Sequence, residues 1–135
     1  MARVSTYLNF PRSTEQAFVF YRSVFGGEFI GPVHRFADIP AAPDQPPLPE
    51  ADRALVMHVE LPILGGHVLM GSDAPESMGL QVRSGNQVSI NLEPETRAEA
   101  DRLFAGLAAQ GQVEMPMADM FWGAYFGCLV DQFGV

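Results

Sequence analysis

His58 and Glu60 stand two residues apart in the run Val56-Met57-His58-Val59-Glu60-Leu61. In an extended strand side chains two apart project from one face, so an imidazole lies beside a carboxylate. Such a pair supplies a general base that the carboxylate orients or charges. A second reading stands beside it, in which Glu60 tops a strand edge in solvent and His58 hydrogen-bonds within the sheet. The apolar run continues to Ile63, and after Leu64-Gly65-Gly66 the stretch His67 to Ser72 returns as its hairpin partner. A three-residue loop puts Ile63 opposite His67, Glu60 opposite Met70 and His58 opposite Ser72. His58, Glu60, Met70 and Ser72 then share one face, while Met57, Val59, Leu61 and Leu69 pack under a helix. A two-residue Gly65-Gly66 turn changes that register. His67 at the turn and His34 near Pro32 are read as exposed.

Other side chains suited to contacts with a ligand lie toward the C-terminus. Trp122 follows Phe121 in a loop that enters a strand, where its ring offers flat area to an apolar or planar molecule. Packing in a core or a dimer uses such a ring equally well. Cys128 alternates with Phe126 on one strand face; with no base near it in sequence, the thiol reads as a small hydrophobe. Met57, Met70 and Met78 read as core or adaptable pocket lining. Serine-hydrolase and phosphate-loop motifs are absent.

The elements that must position these groups repeat. Val4 to Pro11 is a β-rich run closed by proline, and Val88 to Pro94 is another, with Pro11 and Pro94 offset by 83 residues. At the same offset Ser13 precedes Gln16 by three and Thr96 precedes Glu99 by three, the capping-box spacing that starts a helix. Apolar residues follow at helical intervals: Ala17, Tyr21, Val24 and Phe25, then Ala100, Leu103, Phe104, Leu107 and Ala108. Gly26-Gly27 and Gly111 end the two helices. Shared spacing of strand, cap and helix face predicts two related modules, about 1–75 and about 85–135, in one α+β domain of residues 1–135. Beyond the hairpin, the spacing predicts strands over Glu28 to Phe36, Gly111 to Met115 and Ala124 to Val130, with Phe133-Gly134-Val135 opening another. The proline-rich stretch Pro40 to Pro49 is read as an exposed loop.

Length and charge bound the partners. The 135 residues suit one domain, and 47% hydrophobic side chains are too many for disorder. Eight basic against sixteen acidic residues leave −8, with no basic stripe to neutralise phosphates, which argues against nucleic acid and anionic membranes. A single cysteine and no long apolar run predict a soluble protein of a reducing compartment, the cytoplasm.

Tyr7-Leu8-Asn9-Phe10 before the first helix, Phe20-Tyr21 and Phe25-Gly26-Gly27 in and after it, and the paired βαβββ pattern resemble the vicinal oxygen chelate superfamily of glyoxalase I, extradiol dioxygenases and bleomycin resistance proteins. His58-Val59-Glu60-Leu61, Leu69-Met70-Gly71-Ser72-Asp73, Met120-Phe121-Trp122-Gly123 and Asp131-Gln132-Phe133-Gly134-Val135 resemble its PhnB-like branch. The resemblance implies a glyoxalase-like α+β fold: a cup-shaped mixed sheet of paired βαβββ modules, helices outside, ligand within, commonly as a twofold dimer. Members are often described as 3-demethylubiquinone methyltransferase-like, yet no glycine-rich loop follows a strand here to hold S-adenosylmethionine. No cofactor is expected.

Superfamily enzymes hold a divalent metal at positions that the resemblance carries onto Thr6, Ser89 and about Met70, with a further carboxylate position beyond Val135. Hydroxyls and a thioether are poor ligands for such a metal, so none is expected. The resemblance also implies a further strand after Val135. The expected function is binding of a small organic molecule. Thr6, Leu8, His58, Glu60, Met70 and Ser72 are its contacts from the first module, and Ser89, Trp122, Phe126 and Cys128 from the second. The alternative is a lyase or isomerase with His58 and Glu60 as catalytic acid–base pair; bound metal in the purified protein discriminates the two.

Overall fold

The computed structural model describes residues 1–135 in two units, Met1–Arg83 and Ser84–Val135. In the first, β1 (Thr6–Phe10), β2 (His34–Arg35), β3 (Val56–Pro62) and β4 (Val68–Asp73) form one sheet in the order β1-β4-β3-β2. β1 runs parallel to β4, and the other pairs are antiparallel. With α1 (Thr14–Phe25) between β1 and β2, the order is βαβββ. Between β3 and β4 the chain turns at Leu64–Gly66, with Gly65 and Gly66 at φ 68° and 79°, a region that side chains disfavour. The Ile63 amide donates to the His67 carbonyl at 2.7 Å, so three residues make the loop and Glu60 pairs with Met70.

α1 covers one face of this sheet. Its buried Ala17, Phe18, Tyr21 and Val24 recur at helical spacing and meet Val59, Leu61 and Leu69, which are also buried. Gly71 belongs to this face: a Cβ there would lie 2.5 Å from Cε1 of Phe18. Each such apolar side chain contributes about 1.5–3 kcal/mol on burial, so this layer is the main source of the unit's stability.

The start of α1 differs from the capping box expected at Ser13 and Gln16. The Ser13 side chain makes no capping bond. Asp73, at the end of β4 and 4% exposed, accepts from the Thr14 amide at 3.0 Å and from the Val56 amide at 2.8 Å. A carboxylate accepts these bonds more strongly than a neutral hydroxyl, so a strand end caps the helix in place of its own N-terminal serine.

A second buried carboxylate secures the connection to β3. After the proline-rich loop, which is mostly exposed as expected, α2 (Glu50–Arg53) carries Asp52 at 1% exposure. Asp52 accepts from the Ser77 hydroxyl and, at 2.9 Å, from Arg12, which also pairs with Glu76. The Ser77 hydroxyl and then the Arg12 guanidinium outweigh burial and hold the Asp52 carboxyl below its ordinary range. A depressed folded-state value means this stabilisation is present above the ordinary aspartate range and is lost as pH falls through the depressed value. Asp52→Asn is therefore expected to lower Tm at neutral pH, with the gap to wild type closing on acidification below pH ~4; a constant gap from pH 7 to pH 2 would contradict this.

The second unit contains α3 (Arg97–Ala108), β5 (Gln112–Asp119) and β6 (Tyr125–Val130). Here the cap is as expected: Thr96 accepts from the Glu99 amide at 3.1 Å. Leu103 is the buried anchor of α3, and Arg97–Asp119 and Tyr125–Asp101 contacts tie the helix to the β5–β6 hairpin. No helix of either unit is long and apolar enough to cross a membrane.

Three expected strands are shorter or absent. Over Glu28 to Phe36 only His34–Arg35 forms a strand, with a single further bond from the Ile30 amide to the Glu60 carbonyl at 2.9 Å, because Gly27 and Gly31 at φ 83° and 71° turn the chain out of a ladder. Val88 to Leu92 is not a strand: β1 draws its bonds from β4, whereas β5 and β6 pair only with each other. Phe133 to Val135 is a turn, closed by the Asp131 carboxylate accepting from the Phe133 amide at 2.8 Å and the Val135 amide at 3.1 Å.

Candidate functional site

The face of the first sheet opposite α1 carries the polar groups. Tyr7 on β1 pairs with Met70, and Met70 pairs with Glu60, so the three side chains stand in a row across β1, β4 and β3. Beside this row is His58, and across from it on β2 is His34. His58 shares this face with Glu60 by alternation, and the strand changes course only before it. Val56 and Val59 are both buried although three residues apart, and the pairing with β2 shifts between His58 and Val56. The extra residue of this bulge re-aims the strand, and bulges of this kind are found next to functional sites.

The side chains form a hydrogen-bonded chain. The Tyr7 hydroxyl lies 3.1 Å from His58 Nδ1, and His58 Nε2 lies 3.3 Å from Oε1 of Glu60. The Tyr7 and His58 rings are 5.7 Å apart at a 30° tilt. Arg3, in the segment before β1, brings a guanidinium nitrogen within 3.7 Å of the same Glu60 oxygen. Tyr7 is 47% exposed, while the His58 and Glu60 side chains are 32% and 21% exposed, so a small molecule has access to all three. The arrangement can donate, accept and relay a proton at one patch of sheet.

Of the residues expected to contact a ligand, the structure brings together His58, Glu60 and Met70, with Ser72 half-buried near the end of β4. Thr6 and Leu8 lie on the opposite face. They pair with Leu69 and Gly71, which face α1, and the Thr6 hydroxyl is 2.8 Å from His67 Nε2. His67 is half-buried by this contact, in contrast to the exposed turn residue expected. Tyr7 and Arg3 were not foreseen as site residues. The alternation in Thr6-Tyr7-Leu8-Asn9-Phe10 is the signal for Tyr7: Phe10 is buried, so Leu8 and Thr6 share its side and Tyr7 and Asn9 take the other.

The remaining expected contacts lie in the second unit. Ser89 is exposed in a segment without strand pairing. Trp122 is 60% exposed at the β5–β6 turn, edge-on to Phe121, with Phe126 exposed on β6 and Cys128 a half-buried free thiol.

The metal implied by the superfamily resemblance does not fit these donors. The Thr6 hydroxyl is engaged by His67, and nowhere do three His, Cys, Asp or Glu side chains converge as a ligand set. A glycine-rich turn that could cradle S-adenosylmethionine is likewise missing from the β1–α1 junction, Pro11-Arg12-Ser13.

The mixed sheet of β1 to β4 under α1, with its bulged third strand, is a glyoxalase-like α+β fold of the PhnB type. The chain belongs to the family described as 3-demethylubiquinone-9 3-methyltransferase, whose model matches residues 2–135. It is similar to protein PA1353 of Pseudomonas aeruginosa, at 32% identity and a TM-score of 0.82 over 100% of this chain and 93% of that one. A putative 3-demethylubiquinone-9 3-methyltransferase, PhnB protein, from Bacillus cereus is 26% identical with a TM-score of 0.72, covering 99% and 95%. Protein YjdN of Escherichia coli strain K12 is 26% identical over 98% of this chain and 90% of its own length.

Proposed function

We propose that this PhnB-like protein binds a small organic molecule on the open face of the first sheet, with Tyr7, His58 and Glu60 as its polar anchors and Met70 as an apolar floor. The observation that carries the reading is the hydrogen-bonded chain Tyr7–His58–Glu60 on a face that α1 leaves uncovered. Buried polar chains of this kind stabilise a fold; a chain left accessible, with a thioether beside it, is instead arranged to meet something from solvent. The protein works without a tightly held transition metal, in the cytoplasm, as a twofold dimer to which the free edge of β1 contributes.

Replacing His58 by alanine removes the centre of the chain. Binding of a ligand found by thermal-shift screening is expected to weaken about tenfold, the ~1.4 kcal/mol of one hydrogen bond, with metal content unchanged. Unaltered affinity in calorimetric titration would overturn the assignment of this face.

A further inference from the structure

The proton positions in the Tyr7–His58–Glu60 chain determine what it offers a ligand. An ionised carboxylate only accepts, so in neutral His58 the proton is on Nε2 and is donated to Glu60 Oε1. Nδ1 is then an acceptor, and the Tyr7 hydroxyl donates to it. Every donor of the chain points inward along it. What it turns outward is acceptor capacity: the lone pairs of the Tyr7 oxygen and the second oxygen of Glu60.

Three further features have the same sign. The chain's own guanidinium, from Arg3, sits opposite Glu60 at 3.7 Å, beyond hydrogen-bond distance and with its side chain 56% exposed. An ion pair so open is worth little and is readily displaced, so Arg3 marks a position that a cation takes without being fixed there. The half-exposed Tyr7 ring presents a π-face, and the net charge of −8 draws cations from a distance.

We propose that the site takes a small organic cation, an amine or guanidinium on an aromatic or apolar body, and discriminates against the corresponding carboxylate. This rests on the open face being a ligand site. The groups that face His58 are Tyr7 from β1, Glu60 on its own strand, Arg3 before β1 and His34 from β2.

The test is an NMR titration of the full chain at pH 8 with phenethylamine and with phenylacetate, following the His58 and Tyr7 ring signals. Phenethylamine is expected to bind at least about fivefold more tightly, since the hydrogen bond from an ammonium to Glu60 is charge-assisted. Glu60→Gln should cost the amine about tenfold and erase the preference, while Arg3→Ser, outside the sheet, should strengthen amine binding. Phenylacetate binding as tightly as the amine at these residues would overturn the cation class and leave the site standing. Neither probe moving the signals up to ~10 mM would overturn the site as well.

Discussion

Asp73→Ala is expected to lower the stability of the first unit by about 4 kcal/mol, because each of two backbone donors left without a partner costs roughly 1–3 kcal/mol. The donors are the amides of Thr14 and Val56, both bonded to the one carboxylate, which is itself buried. The Thr14 amide lies in the first turn of α1, where no carbonyl of the helix can receive it. Neither can turn to water without moving α1 off the sheet or pulling the start of β3 away from β4. Asp73→Asn keeps one acceptor oxygen and is expected to fall between the two. Urea denaturation of the three proteins provides the measurement, and a loss below ~1 kcal/mol for the alanine variant would show that the helix start finds another cap.

Gly71→Ala tests the packing beneath the site. The added methyl would lie 2.5 Å and 2.9 Å from Cε1 and Cζ of Phe18, which is fully buried, and 3.3 Å from the Leu8 carbonyl oxygen. A ring surrounded by core side chains has little room to yield, so strain of about 2–3 kcal/mol is expected. Phe18→Leu alone removes part of the core and also destabilises. Combined, the smaller side chain opens room for the methyl, and the double variant is expected to be more stable than the sum of the singles by ~1 kcal/mol or more. Simple additivity in the denaturation midpoints would mean that α1 shifts as a body and that Phe18 is not the obstacle. The site would respond too: Gly71 separates Met70 from Ser72, so displacement of β4 should weaken ligand binding in the same variant.

The parts of this molecule visible in its sequence are those specified within a few neighbouring residues. The hairpin of β3 and β4 follows from alternation and two adjacent glycines, whereas its three-residue loop, and with it the pairing of Glu60 with Met70, is decided between two registers only by the structure. Helical spacing identifies α1 and α3, and Thr96 caps α3 as its local pattern implies. The side-by-side placement of His58 and Glu60 is of this local kind, and so is the family, whose motifs run along the whole chain. Tertiary structure decided what depends on a partner distant in the chain. Asp73, 59 residues from Thr14, caps α1 where Ser13 was expected, because a strand end carrying a full charge outcompetes a hydroxyl. Tyr7, 51 residues from His58, joins the site while Thr6 and Leu8 turn to α1, since the parallel pairing with β4 fixes which side of β1 faces the helix. Val88 to Leu92 has strand composition but no strand beside it in its unit, and a ladder forms only where a neighbour supplies the opposing amides and carbonyls.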